Sequence, residues 1–268
     1  MSVNTNRIIS YSLYGAEERY TIPLLDNARS LASYYPGWTI YVYHDETVDP
    51  NYIAELRELN VAAIDMTRHL YNGLPPRLWR LLPTLQDDLE CIIFRDADSV
   101  FTSRESALVS QWLESEKLVH IIRDHPLHVA PILAGMFGVK REAFSMLSCL
   151  LSQHKNYQST RPHDYDQVLL ADSFYPRVRR MAMIHTSFFR FCGEEVQRMS
   201  PVEDGHSFIG SVDRADESAK KHNEDLIRAS QFIDGIPYWL AKLLRYRVRP
   251  VIYTSLIYQF FSKYARKS

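Results

Sequence analysis

Cys91-Ile92-Ile93-Phe94-Arg95-Asp96-Ala97-Asp98-Ser99-Val100 is a short apolar run followed at once by two carboxylates one residue apart. In an extended segment, side chains at i and i+2 point to the same side about 6.6 Å apart along the backbone, so two oxygen clusters can converge on one hard cation. A cation held there, at the carboxyl end of a strand, would bind and polarise a phosphate. The three-residue pattern alone is weak, because it recurs at Asp164-Tyr165-Asp166. Context separates the copies. The first follows an apolar strand, whereas the second precedes Val168-Leu169-Leu170 and reads as the first turn of a helix, where Asp caps free amides. For Asp96 and Asp98 the alternative is an ordinary acidic turn after a strand.

Upstream of this stretch, residues 7–13 read as a strand, and residues 21–35 as an amphipathic helix with Leu24, Ala28, Leu31 and Tyr35 on one face. A strand over 38–43, a helix over 50–59, a strand over 61–66 and a helix over 77–86 follow. This alternation predicts an α/β fold: a doubly wound, largely parallel sheet flanked by helices. Ligands bind such sheets beyond the carboxyl ends of the strands, which is where Asp96 and Asp98 lie. Downstream, the pattern predicts a helix over 105–116 capped by Ser103, a strand over 118–122, a glycine-interrupted apolar segment over 133–139, and helices over 142–153 and 164–171. Residues 204–225 are polar without periodicity and read as a loop or lid.

At 268 residues, with 46% hydrophobic and 24% charged residues, the chain can bury a sizeable core in one large domain. A formal net charge of −1 gives no global attraction to nucleic acid. Cys91, Cys149 and Cys192 lack metal-ligand spacing and leave an odd thiol if two pair, which favours a reducing, cytoplasmic setting. The N-terminus shows no apolar signal region, and no run is long enough to span a bilayer.

Other residues could carry chemistry. Gly135 and Gly138 flank an apolar strand; a missing Cβ admits either a ligand or a close packing crossing. Asp124 and His125, in the loop-like run Arg123-Asp124-His125-Pro126-Leu127-His128, suit hydroxyl recognition or proton transfer, against a reading as solvated loop charge. His185 ends the strand-like run 181–184 and would either complete a metal site with Asp96 and Asp98 or be structural. Asp166-Gln167 opens a helix and would either meet a substrate hydroxyl or cap it. Arg80 interrupts an apolar helical face, which suits either bidentate phosphate binding or a salt bridge to Asp87 or Asp88.

In order and spacing, several motifs resemble small bacterial and viral glycosyltransferases of the GT-A fold, related to glycosyltransferase family 8 and to mannosyltransferases with DxD motifs. They are Ser10-Tyr11-Ser12-Leu13-Tyr14-Gly15 with Tyr20-Thr21, Tyr35-Pro36-Gly37-Trp38, Trp79-Arg80 and Arg95-Asp96-Ala97-Asp98-Ser99. Arg123-Asp124-His125-Pro126, Pro131-Ile132-Leu133-Ala134-Gly135-Met136-Phe137-Gly138, Asp166-Gln167 and Phe208-Ile209-Gly210 continue the series. The resemblance implies a Rossmann-like nucleotide-binding sheet with an acceptor-side extension, and transfer of a sugar from a UDP- or GDP-sugar to a glycan or lipid-linked acceptor. It further implies that Ser12 and Tyr14 meet the nucleotide and that Asp96 and Asp98 hold Mn2+ or Mg2+ on the diphosphate. Arg80 or Arg95 would add charge stabilisation, and Gly135, Met136, Asp166 and Gln167 would line the sugar and acceptor site. Asp124, Asp164 and Asp166 are the candidate bases of an inverting reaction, while the likeness to family 8 leans toward retention.

No acid occurs after Asp234, and residues 235–268 combine aromatics and aliphatics with Lys and Arg. This splits the chain into a transferase domain over 1–234 and a basic aromatic helical extension, either an interfacial helix on anionic lipid or a packing helix with a solvated face. Two rival functions remain from the sequence. An apolar strand before Asp-x-Asp also resembles the nucleophile motif of haloacid-dehalogenase-like phosphatases, and an inactive sugar-binding scaffold would retain the same fold.

Overall fold

A computed structural model describes residues 6–125, 128–153, 165–200, 202, 208–211 and 232–237. The chain opens with β1 (Arg7–Leu13), α1 (Glu18–Tyr34), β2 (Thr39–His44), α2 (Pro50–Glu58) and β3 (Ala62–Asp65). A 3-10 helix (Pro76–Leu85) leads into β4 (Cys91–Arg95), then α3 (Ser103–Glu114), β5 (Val119–Arg123), β6 (Met136–Lys140) and α4 (Phe144–Gln153). Next come α5 (Tyr165–Leu169), a π turn (Leu170–Phe174), α6 (Tyr175–Val178), β7 (Ala182–Thr186), β8 (Phe189–Phe191), β9 (Val196–Arg198) and β10 (Ile233–Ile236).

The main sheet has the order β3-β2-β1-β4-β6-β5-β7-β9. Its neighbours pair in parallel except where β6 meets β4 and β5. The expected α/β class, a mostly parallel mixed sheet between helices, is therefore what the chain adopts. Strand order proceeds outward in opposite directions from β1 and β4, which makes their carboxyl ends a topological switch point. Because β6 is reversed, its beginning lies beside the end of β4: Arg95 pairs with Met136. The connection from β5 to β6 thus starts and finishes at this same edge of the sheet.

Period-two alternation sends successive strand residues to two separate cores. One face packs Ile8, Ile92, Phe94, Ile121 and Phe137 against Leu78, Trp79 and Leu82 of the 3-10 helix and Leu147 of α4. The other packs Ile9, Tyr11, Ile40, Cys91 and Ile93 against Leu24 and Ala28 of α1, Ile53 of α2, and Val109 and Trp112 of α3. Arg95 follows Ile93 onto the second face, whereas Asp96 follows Phe94 toward the first.

Several elements depart from the sequence expectations. Residues 76–85 are 3-10 rather than α-helical: Pro83 lacks the N–H an α-helix would direct to Trp79 and pushes Leu82 away from the α region. The helix expected over 164–171 runs on through the π turn to Val178, and Pro176 removes the donor that would reach Asp172. Helix α1 begins at Glu18, three residues earlier than expected. The cap of α3 is Thr102, whose side chain accepts from the Glu105 amide, and not Ser103. Strand β10 pairs with β8 across the 234/235 composition boundary. The basic aromatic tail beyond residue 237, and most of the 204–225 segment, lie outside the described residues.

Candidate active site

Beyond the carboxyl end of β4, one arginine joins two acids that are far apart in sequence. The Arg80 guanidinium donates to Asp96 Oδ1 at 2.6 Å through Nη1 and to Asp166 Oδ2 at 3.3 Å through Nη2. Nη1 also reaches the carbonyls of Arg95 and Ala134, and Nε that of Arg77. The side chains of Arg80 and Asp166 are 8% and 7% exposed, while that of Asp96 is 51% exposed. A buried cation is thus anchored on a buried acid and presented to an open one. Arg80 does not pair with Asp87 or Asp88.

The cleft beside this triad has a volume of about 190 Å³ and is lined by Arg77, Asp96, Ser99, His128, residues 133–136, Asp166, Gln167 and Gly210. Gly135 is required by the packing, because a Cβ there would lie 2.1 Å from Asp96 Oδ2. Gly138 is likewise a packing crossing, away from the cleft: its Cβ would meet Ile93 and Trp112 at 2.9 Å. Met136 packs with Ile209, and at Gly210, with φ +85°, a Cβ would sit 2.7 Å from the Met136 sulfur.

The sheet holds this geometry through polar side chains. Ser10 Oγ donates to the Arg80 carbonyl at 2.8 Å and Ser12 Oγ accepts from the Arg80 amide at 2.9 Å, so two alternate residues of β1 clamp the backbone of Arg80 on both sides. Asn27 of α1, 1% exposed, donates to the Ser99 carbonyl at 2.7 Å and accepts from the Phe101 amide at 2.8 Å, bracing the loop that carries Asp96 and Asp98. Ser99 Oγ returns to the Asp96 carbonyl at 2.8 Å. Asp98 is half-buried; desolvation, then the neighbouring Asp96 charge, raises its pKa above the usual carboxylate range. Burial likewise raises Asp166, with Arg80 opposing the shift.

The structure brings together Arg80, Asp96, Gly135, Met136, Asp166 and Gln167 and reassigns other expected site residues. Arg95 is an interior strut: its guanidinium pairs with Glu105, both side chains being 2% exposed, on the sheet face opposite Asp96. Ser12 faces the 3-10 helix, where its Oγ accepts from the Arg80 amide. Tyr14 sits half-buried, edge-on to Trp79 at 6.3 Å, and burial raises its phenol pKa. His185 does not join Asp96 and Asp98; its Nδ1 contacts His120 Nε2 at 2.8 Å and its Nε2 contacts Gln111 at 3.2 Å.

Asp124 is not placed as a base. Fully buried, it accepts from Arg104 Nε and Nη2, both at 2.9 Å, from Ser187 Oγ and from the Ile209 amide at 3.1 Å. His125, 3% exposed, packs on Phe208 with ring centroids 4.4 Å apart, and it is His128 that lines the cleft. Asp164 lies outside the described residues.

Sequence reasoning missed Ser10, Asn27, Arg104 and Glu105. Asn27 carried a signal, being a polar residue three positions after Leu24 on the buried face of α1. Thr102-Ser103-Arg104-Glu105 carried another, the capping-box pattern.

Among the described residues, no group of three His, Cys, Asp or Glu side chains is arranged to hold a metal ion. Two carboxylates at a strand end still suit a hard divalent cation whose other positions are filled by phosphate oxygens and water. Asp96 and Asp98 supply the carboxylate oxygens that Mn2+ or Mg2+ takes.

No protein-family model matches the chain, and no curated protein does. Among solved structures it is similar to glucosyl-3-phosphoglycerate synthase from Mycobacterium tuberculosis in complex with Mn2+, UDP and phosphoglyceric acid, at 13% identity over 91% of this chain and 80% of that one, TM-score 0.46. A glycosyltransferase involved in glycosylation of the major capsid of PBCV-1 is similar at 15% identity over 69% and 84%, TM-score 0.45. Mannosyl-3-phosphoglycerate synthase from Rubrobacter xylanophilus is similar at 12% identity over 66% and 75%, TM-score 0.44. Likenesses this distant do not bear on the chemistry of this chain; its own side chains do.

Proposed function

We propose that this chain is a metal-dependent glycosyltransferase of the GT-A type, moving a sugar from a UDP- or GDP-sugar to a glycan or lipid-linked acceptor. The observation that carries this reading is the Asp96–Arg80–Asp166 triad at the switch point of the sheet, with Asp98 two residues from Asp96. Strand ends at a switch point are where α/β sheets bind nucleotides. Residues from several of the motifs that resemble GT-A enzymes meet there: Arg80 bonds Asp96 and Asp166, and Asp96, Ala134, Gly135, Met136, Asp166, Gln167 and Gly210 line one cleft.

A divalent cation, when bound, supplies Lewis-acid neutralisation of the charge that builds on the leaving diphosphate. Asp96 and Asp98 would hold it, and Arg80, buried beside Asp96, would add a second positive charge at the same strand end. Gln167, with an amide that both donates and accepts, and Asp166 face the cleft where sugar hydroxyls would lie. Arg77 and His128 border the same space.

Calorimetric titration of UDP and GDP with and without Mn2+, followed by assay of donor-sugar hydrolysis, tests the reading. Nucleotide binding that needs the metal is the expected result. Release of phosphate from a monoester, with no nucleotide binding, would overturn it.

A further inference from the structure

We propose that His128 is a hydroxyl-recognising residue of the cleft, a neutral imidazole that offers its Nε2–H to an oxygen of the donor's sugar. This rests on the transferase reading above and names a specificity-determining residue of the same site. The ring is held by its other nitrogen. The Asp124 amide donates to His128 Nδ1 at 3.2 Å, and the His128 amide donates to the His125 carbonyl at 2.9 Å. Phe208 stands edge-on to the imidazole with centroids 5.7 Å apart, and His125 flanks it at 5.5 Å.

A backbone N–H can only donate, so Nδ1 carries its lone pair and, in the neutral ring, the proton sits on Nε2. Burial, then the neighbouring His125, holds the pKa of His128 down to about 3, which keeps the ring neutral near physiological pH. Among the described residues Nε2 has no hydrogen-bond partner, and the ring lines the cleft with Asp96, Asp166 and Gln167. Ionised acids in the cleft only accept hydrogen bonds, so they read the proton of a sugar hydroxyl and leave its lone pairs unread. A fixed, uncharged N–H reads those lone pairs. An imidazolium would instead favour an anion, and the opposite tautomer would compete with the acids for the hydroxyl proton. Asp124 thus works twice: its carboxylate accepts from the Ile209 amide, and its own amide sets the tautomer of His128.

Two substitutions separate the two nitrogens. His128→Asn can still accept from the Asp124 amide near the Nδ1 position but offers nothing at Nε2, whereas His128→Gln places an N–H near Nε2. Wild type and variants are compared in the hydrolysis of UDP-glucose, UDP-galactose and GDP-mannose with Mn2+, and calorimetry of UDP and GDP reads the nucleotide alone. His128→Asn should lower kcat/KM for the hydrolysed donor roughly ten- to hundredfold, the span for one hydrogen bond left unmade, while nucleotide affinity stays within about twofold. His128→Gln should return to within about fivefold of the wild type, because the donor is restored. Nitrogen NMR of the labelled wild type near neutral pH should show the Nε2–H tautomer at His128, a readout that needs no substrate and no variant. Equal losses in the two variants, full activity in His128→Asn, or a ring protonated on Nδ1 would each overturn the role of His128 and leave the transferase reading standing. A wild type that binds no nucleotide and hydrolyses no donor overturns both.

Discussion

Asp96 and Asp124 follow strands on either side of β6, and each faces an arginine, yet they are opposite kinds of acid. Asp96 receives one strong donor, stays 51% exposed and has another carboxylate two residues away. Asp124 is fully buried and receives four donors, from α3, from Ser187 and from the segment carrying Gly210. An acid whose acceptor sites are filled by the protein is a rivet, whereas one with acceptor sites left open is able to take a ligand. Residue type and strand-end position are shared, so the number of donors supplied by the fold separates the two roles.

Four measurements would sharpen or break this contrast. Asp98→Ala should cut donor turnover by roughly a hundred- to a thousandfold while leaving urea stability nearly unchanged, because it removes one of two open acids; full activity would sink the metal assignment. Asp124→Ala should do the reverse, costing about 2 to 3 kcal/mol in urea denaturation, because it leaves Arg104 and the Ile209 amide without their acceptor. Unchanged stability with lost activity would restore Asp124 as a base.

The glycines carry the contrast into the backbone. Gly138→Ala should destabilise by about 1 to 3 kcal/mol through overpacking against Ile93 and Trp112. Gly135→Ala should weaken Mn2+-dependent nucleotide binding as well as lower the melting temperature, as the methyl meets the Asp96 carboxylate at 2.1 Å and its backbone nitrogen at 2.8 Å. Equal behaviour of the two variants in both assays would erase the distinction.

The smallest effect concerns pH. Burial, then the adjacent His185, holds the His120 pKa well below its usual value, and burial pushes that of His185 down to about 4. The unfolded imidazoles, at about 6.5, take up protons that the native pair refuses, so stability should fall as pH drops from about 6.5 toward 4. Replacing both with His120→Phe and His185→Leu should flatten the melting-temperature profile between about pH 6.5 and 5. An unaltered slope would assign the acid sensitivity elsewhere.

Much of the architecture was legible because its signals are local. Apolar periodicity marked the early strands and helices, and the context of Asp96-Ala97-Asp98 marked the strand end. Alternation along β4 could have placed Arg95 on the face of Ile93 and Cys91, away from Asp96, and the same rule puts Ser12 beside Ser10 and Ile8 beneath the 3-10 helix. What stayed hidden depends on partners brought in by topology. Nothing near His185 announces His120 or Gln111, which reach it only when β7 pairs with β5 and α3 packs across them. Nothing near Asp124 announces Arg104. The reversal of β6 is also silent locally, since an apolar strand reads alike in either direction.

That reversal has an engineering consequence. In a purely parallel sheet, each segment that visits the ligand edge must leave again through a helix on one face, so altering it disturbs a packed layer. Here the β5–β6 connection departs from and returns to the ligand edge, with its two strands already zipped together by Val119–Val139 and Ile121–Phe137 pairing. It is an exchangeable module clamped at its base, and a graft between residues 124 and 135 could recast what enters the cleft while the strand register stays fixed.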